Sequence, residues 1–246
     1  MECLNQEKLP LEVKRKFVSY LEQMLNTHGD NLISAAVYGS AAGFNYASKI
    51  SDINSVFIFR EISFTTLKNS LKIVNKGISL KIAAPLFLTK EYIQASLDVF
   101  PVEFLEMKEN HVLLYGEDIL AKLKIEGKYV RLFCEQQIKG KLIRIRQAYL
   151  EVGLKRKGRE ALLKGSLQVL LPIFRNLLRL KGLQSPVDKI DVLRLLCREF
   201  SLEENVFLSI YRDARDDEKI AHQNVETFLE KYIGQIEKLA ICLDKI

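Results

Sequence analysis

Residues 32–59 read LISAAVYGSAAGFNYASKISDINSVFIF, and the order of apolar and polar residues in this stretch decides the fold. The apolar run Leu32 to Tyr38 has the length of a strand and stops at Gly39-Ser40. Ten residues, Ala41 to Ile50, separate that pair from Ser51-Asp52-Ile53-Asn54, and a second apolar run follows to Phe59. Residues two apart on a strand point to the same face. Asp52 and Asn54 are therefore expected to project together, near the turn at Gly39-Ser40. Small residues at such a turn expose backbone N–H groups, which donate well to phosphate. A carboxylate held beside them suits a phosphate-bound Mg²⁺.

The pattern resembles the signature of the nucleotidyltransferase superfamily, in which an apolar strand, Gly-Ser and a loop lead into Asp-x-Asp or Asp-x-Glu on the next strand. Gly39, Ser40 and Asp52 match it, and Asn54 stands where the second carboxylate is found. The resemblance implies binding of a nucleoside triphosphate with Mg²⁺ and transfer of its NMP unit to a hydroxyl acceptor, a small molecule or a nucleic acid. Metal ions would clamp the attacking and leaving oxygens. Gly39 and Ser40 would hold the phosphates, with Lys49 of the intervening loop in reach of them. Asp52, Asn54 and a third acid would hold the metal.

The third acid is expected on the run Pro101-Val102-Glu103-Phe104-Leu105-Glu106, read as a strand to Met107. Glu103 is preferred over Glu106, because an ionised Glu inside an apolar strand is costly unless a cation meets it. An Asn oxygen can ligate a hard cation but brings no charge. At an effective dielectric of about 20, one charge touching a divalent ion is worth several kcal/mol. Weaker metal binding, one metal rather than two, or loss of catalysis is the expected consequence of Asn54. An alternative function follows: a catalytically impaired nucleotide-binding protein, or the regulatory half of a toxin–antitoxin pair.

Around this centre the chain alternates. Apolar residues from Leu9 to Asn26 follow a helical period, and Thr65 to Lys76 forms a second helix ended by Gly77. Leu80 to Leu88 is a third apolar run in which Pro85 marks an edge or a kink, and Thr89 caps a short helix. His111 to Tyr115 is a further short run, and Tyr115-Gly116-Glu117-Asp118 resembles a structural corner of the same superfamily. Beyond residue 120 every periodic segment is helical: 129–152, 159–181, 186–200, 202–212 and 225–246. Ser185-Pro186 reads as a helix start. The expectation is an α+β protein: a nucleotidyltransferase-like mixed sheet with helices over 1–120, then an all-helical bundle domain over 121–246. Aminoglycoside and kanamycin nucleotidyltransferases resemble it in that layout.

Composition narrows the classes. Hydrophobic residues make up 48% and charged residues 28%, as in ordinary globular proteins. No uninterrupted apolar run reaches the ~20 residues of a membrane helix, and the N-terminus lacks a signal-peptide layout. Cys3, Cys134, Cys197 and Cys242 form no C-x-x-C pair, which points away from zinc and toward reduced thiols in the cytoplasm. Residues 121–181 hold sixteen Lys and Arg against four Glu, so an anionic ligand or solvated helix faces account for the net charge of +6. Lys155-Arg156-Lys157 with Arg159 is the densest cluster, read as a loop. Arg215-Asp216 and His222 resemble the Arg-x4–6-His ribonuclease motif of HEPN domains, in which His is the general acid/base and Arg steadies phosphate. The long C-terminal helices permit a homodimer.

Overall fold

The computed structural model describes residues 4–43, 52–215, 217, 219–220 and 224–245. It divides into two compact units, Met1–Glu126 and Gly127–Ile246.

The first unit is built on four strands, β1 (Leu32–Tyr38), β2 (Asn54–Phe59), β3 (Leu86–Thr89) and β4 (His111–Gly116), in the order β3-β2-β1-β4. β1 pairs antiparallel with β2 and β4, whereas β2 pairs parallel with β3. The sheet is mixed, as the sequence predicts. Its two faces divide the apolar residues by alternation. Ala35, Val37, Ile53, Phe57, Phe59, Val112 and Leu114 pack with Val13, Phe17, Leu21 and Met24 of helix α1 (Leu11–His28). Ala36, Val56 and Ile58 face the other way, against Ile93 of α3 (Lys90–Ala95) and Phe104 and Met107 of α4 (Pro101–Glu109).

Helix α2 (Phe64–Ser79) opens with a reciprocal cap between Ser63 and Thr66. Small residues let it approach α1: a Cβ on Gly77 would lie 2.7 Å from the Tyr20 ring. The Ser70 hydroxyl meets His28 Nε2 at 2.8 Å, and burial lowers the His28 pKa. Thr89 caps α3 through the Tyr92 N–H.

One expected strand is a helix. Residues 101–107 belong to α4, with Pro101 at its first turn, where a missing N–H costs nothing. Pro101, Val102, Phe104 and Met107 are buried, and Glu103, Glu106 and Glu109 are exposed three residues apart. That spacing belongs to a helix and not to a pleated strand. The fourth strand is instead the short run His111–Gly116. The third run is strand only over Leu86–Thr89, just after Pro85, with Ile82 making an isolated bridge to Ile53.

The second unit is an all-helical bundle of α5 (Gly127–Val152), α6 (Arg156–Leu180), α7 (Lys189–Glu199), α8 (Glu204–Ala214) and α9 (Val225–Leu243). Phe174, Phe207 and Tyr232 join α6, α8 and α9 through edge-on ring contacts at 5.9 Å. α6 continues through Pro172. It is long and apolar enough to cross a membrane by composition, yet half of that apolar window is buried, as in the core helix of a bundle. The start of α7 is capped by Asp188, which accepts from the N–H groups of Ile190 and Asp191; Ser185-Pro186 lies upstream of it.

Candidate functional site

The ends of three strands meet where β1 gives way to Gly39. Tyr38 pairs with Asn54 on one side and with His111 on the other. By alternation these three side chains share the face that also carries Ala36, Val56 and Ile58. Asn54 begins β2 and is half-buried, Ile53 before it is fully buried, and Asp52 is exposed. Ile53 is pinned by backbone hydrogen bonds to Lys81 at 2.8 Å and from Ala83 at 3.0 Å, which fixes the base from which Asp52 projects.

Gly39 adopts φ +72°, a left-handed conformation that L side chains rarely take. Among the described residues, a Cβ there would meet only Asn54 Nδ2, at 3.9 Å. The fold therefore brings Gly39 and Asn54 together, although ten residues of loop and more separate them in the chain. The Gly39 N–H donates to the Asn110 carbonyl at 2.9 Å. That bond corrects the expectation that this N–H is free for phosphate. Ser40 is exposed at the start of a short 3₁₀ turn, Gly39–Ala42, whose Ala41 is buried. The turn is anchored by Ala41 and Asn110 and offers the Ser40 side chain to solvent. Lys49 and Ser51 lie outside the described residues.

Glu103 does not stand on the sheet. It is exposed on the first turn of α4, where an ionised Glu costs little and needs no cation to meet it. None of the four strands carries an Asp or Glu. Among the described residues no group of three His, Cys, Asp or Glu side chains gathers as a metal cage. Asp52 and Asn54 offer one carboxylate and one amide. That donor set fits a Mg²⁺ carried in by phosphates, which often needs only one or two protein ligands. It does not fit an ion held by protein alone.

His111 is the neighbour that the sequence conceals. Its ring is almost fully enclosed, with Nδ1 3.2 Å from the Lys108 carbonyl and Nε2 3.0 Å from Asp118 Oδ1. Asp118 also accepts the Ala121 N–H at 2.9 Å. His111 is thus held as a strut, with both ring nitrogens engaged by neighbouring oxygens. Burial pushes the Tyr38 hydroxyl pKa up, which keeps it protonated at neutral pH. The signal for both residues was the cross-strand register, which a sequence does not print.

Comparison with solved structures decides the family resemblance of the fold. The chain superposes on spectinomycin adenyltransferase AAD(9) from Enterococcus faecialis, crystallised with ATP and spectinomycin, with a TM-score of 0.51. The fold is nucleotidyltransferase-like. The likeness covers 91% of this chain and 99% of that one, at 12% sequence identity. No protein-family model and no curated protein matches the sequence. Within the nucleotidyltransferase-like fold, the Gly39–Asn54 edge is the candidate site.

The other charged candidates lie in the helical unit. Lys155-Arg156-Lys157 and Arg159 sit at the start of α6, not in a loop. Arg159 is spent on the Gly153 carbonyl, and Arg156 pairs with Glu160 at 3.2 Å. Arg215 stacks over the Tyr211 ring at 5.9 Å and pairs with Asp217 at 3.4 Å, whereas His222 lies outside the described residues.

Proposed function

We propose that this protein binds a nucleoside triphosphate with Mg²⁺ at the Gly39–Asn54 edge and transfers NMP to a hydroxyl acceptor only slowly. The apposition of Gly39 with Asn54, beside exposed Ser40 and Asp52, carries the reading. It is supported by the likeness to an adenyltransferase crystallised with ATP and spectinomycin. Ser40 donates its hydroxyl to a phosphate oxygen. Asp52 supplies the one protein charge toward the ion, and Asn54 adds a neutral oxygen. Bound Mg²⁺ neutralises charge on the phosphates and orients them for in-line attack. The acceptor is a small hydroxylated molecule or a nucleic acid, and the setting is the cytoplasm, where Cys134 and Cys197 stay as buried thiols.

Restoring the missing charge tests this. Transfer of labelled NMP to a panel of hydroxylated acceptors is expected to rise about tenfold or more in Asn54→Asp, since ~1.4 kcal/mol is worth a factor of ten. A second reading, a nucleotide-binding regulator without transfer, is favoured by the lack of any acid on the four strands. It prevails if MgATP binds both proteins and neither transfers NMP.

A further inference from the structure

Three segments end side by side at the sheet edge that holds the candidate site. β1 gives way to Gly39-Ser40, Asp52 stands just before β2, and the parallel bridge between Ile53 and Ile82 sets Lys81 beside Asp52. The Ile53 N–H donates to the Lys81 carbonyl at 2.8 Å, and neighbouring strands lie about 4.8 Å apart. The sheet order β3-β2-β1 therefore makes a row, with Ser40 on one side, Asp52 in the middle and Lys81 on the other side. Lys81 is held at both ends of its backbone. Its own N–H donates to the Ile78 carbonyl and that of Ile82 to the Gly77 carbonyl, each at 3.0 Å, the bond pair that closes α2 as a Schellman motif. The motif puts Lys81 at φ +63°, where Gly sits without strain and a lysine does not. Strained residues of this kind gather at functional sites, and the Lys81 side chain is exposed.

The chemistry of transfer gives this row a direction. An in-line displacement brings the attacking oxygen in opposite the leaving pyrophosphate. With the terminal phosphates on Ser40 and the ion on Asp52, the acceptor enters from the Lys81 side. Charge on that side has one sign. Residues 31–90 hold two acids, Asp52 and Glu61, and Glu61 lies past the far end of β2. Glu109, just before β4, belongs to the other side of the row, beyond β1. We propose that Lys81 binds the acceptor, and that the acceptor hydroxyl belongs to a phosphate-bearing molecule, the terminal nucleotide of an RNA or a sugar phosphate. The inference rests on the nucleotide site proposed above and narrows its acceptor. A cationic amino sugar would meet Lys81 as a like charge, with Asp52 already engaged by the ion.

The test measures binding, so it does not depend on a fast reaction. The full chain is loaded with a non-hydrolysable MgATP analogue and titrated calorimetrically with an adenosine RNA hexamer, glucose 6-phosphate and glucosamine. The hexamer or glucose 6-phosphate is expected to bind about tenfold or more tighter than glucosamine, with the preference weakened by salt. Lys81→Glu should weaken that binding about tenfold or more and Lys81→Arg should retain it, while both variants bind the nucleotide analogue within about twofold of the unaltered chain. Binding of the hexamer alone assigns the acceptor to RNA, and binding of glucose 6-phosphate as well shows that a single phosphate suffices. Glucosamine binding as tightly as the phosphate-bearing probes overturns the proposal. So does hexamer binding that survives Lys81→Glu, or a loss of nucleotide binding in that variant equal to the loss of acceptor binding. An unaltered chain that binds the analogue but neither phosphate-bearing probe overturns this inference alone, whereas one that does not bind the analogue overturns the nucleotide site and this inference with it.

Discussion

Two Tyr-Gly corners stand at opposite ends of the sheet, one after β1 at Tyr38-Gly39 and one after Tyr115 at the end of β4 in Gly116. Both glycines are left-handed, with φ +72° and +74°. Their surroundings differ. A Cβ on Gly116 would fall 1.9 Å from the Ile33 carbonyl oxygen, whereas one on Gly39 would meet nothing nearer among the described residues than Asn54 Nδ2 at 3.9 Å. After Gly116 the acids are spent. Glu117 holds Lys90 at 2.7 Å and Lys122 at 2.8 Å, and Asp118 holds His111. After Gly39 the polar groups Ser40 and Asp52 are exposed. The same dipeptide with the same backbone sign makes a closed structural corner in one place and a more open one in the other. What surrounds the corner decides its use, and the dipeptide alone does not.

The largest effect should come from adding one methyl group to each corner. Gly116→Ala combines left-handed strain with a backbone overlap and is expected to cost about 4 kcal/mol or to prevent folding. Gly39→Ala meets only the left-handed penalty, about 1 kcal/mol. Urea unfolding of both variants checks the contrast, and equal losses would erase it.

A smaller effect separates the acids. The lysines beside Glu117 hold its carboxyl at about 2, below the ordinary 4.5. A carboxylate lowered in the folded state stabilises above its unfolded pKa, and that stabilisation is lost as pH falls from 4.5 toward 2. The pairs are solvent-exposed, so the contribution is modest and salt-sensitive. An acid-unfolding scan of Glu117→Gln should show a shallower stability loss over that window than the unaltered chain. Ser40→Ala, at the open corner, should leave the same scan unchanged.

The sequence discloses the open corner better than its neighbours. β1 ends where the apolar run ends, at Tyr38, because Gly39 cannot be mistaken for a strand residue. β2 and the mixed sheet follow from the second run and the spacing around it. Residues 101–107 mislead because a short apolar run fits strand and helix alike; only Pro101 and the three-residue spacing of Glu103, Glu106 and Glu109 favour the helix. The pairing of His111 with Tyr38 and the loss of the Gly39 N–H to Asn110 were not legible, since both depend on how the start of β4 meets the end of β1.

The central claim is that the open corner binds a nucleoside triphosphate through Asp52. Calorimetric titration of MgATP into the full chain and into Asp52→Ala tests it directly. The account predicts saturable binding to the unaltered chain, weakened about tenfold or more by the substitution. Absence of binding to the unaltered chain, or equal binding to both, would contradict it.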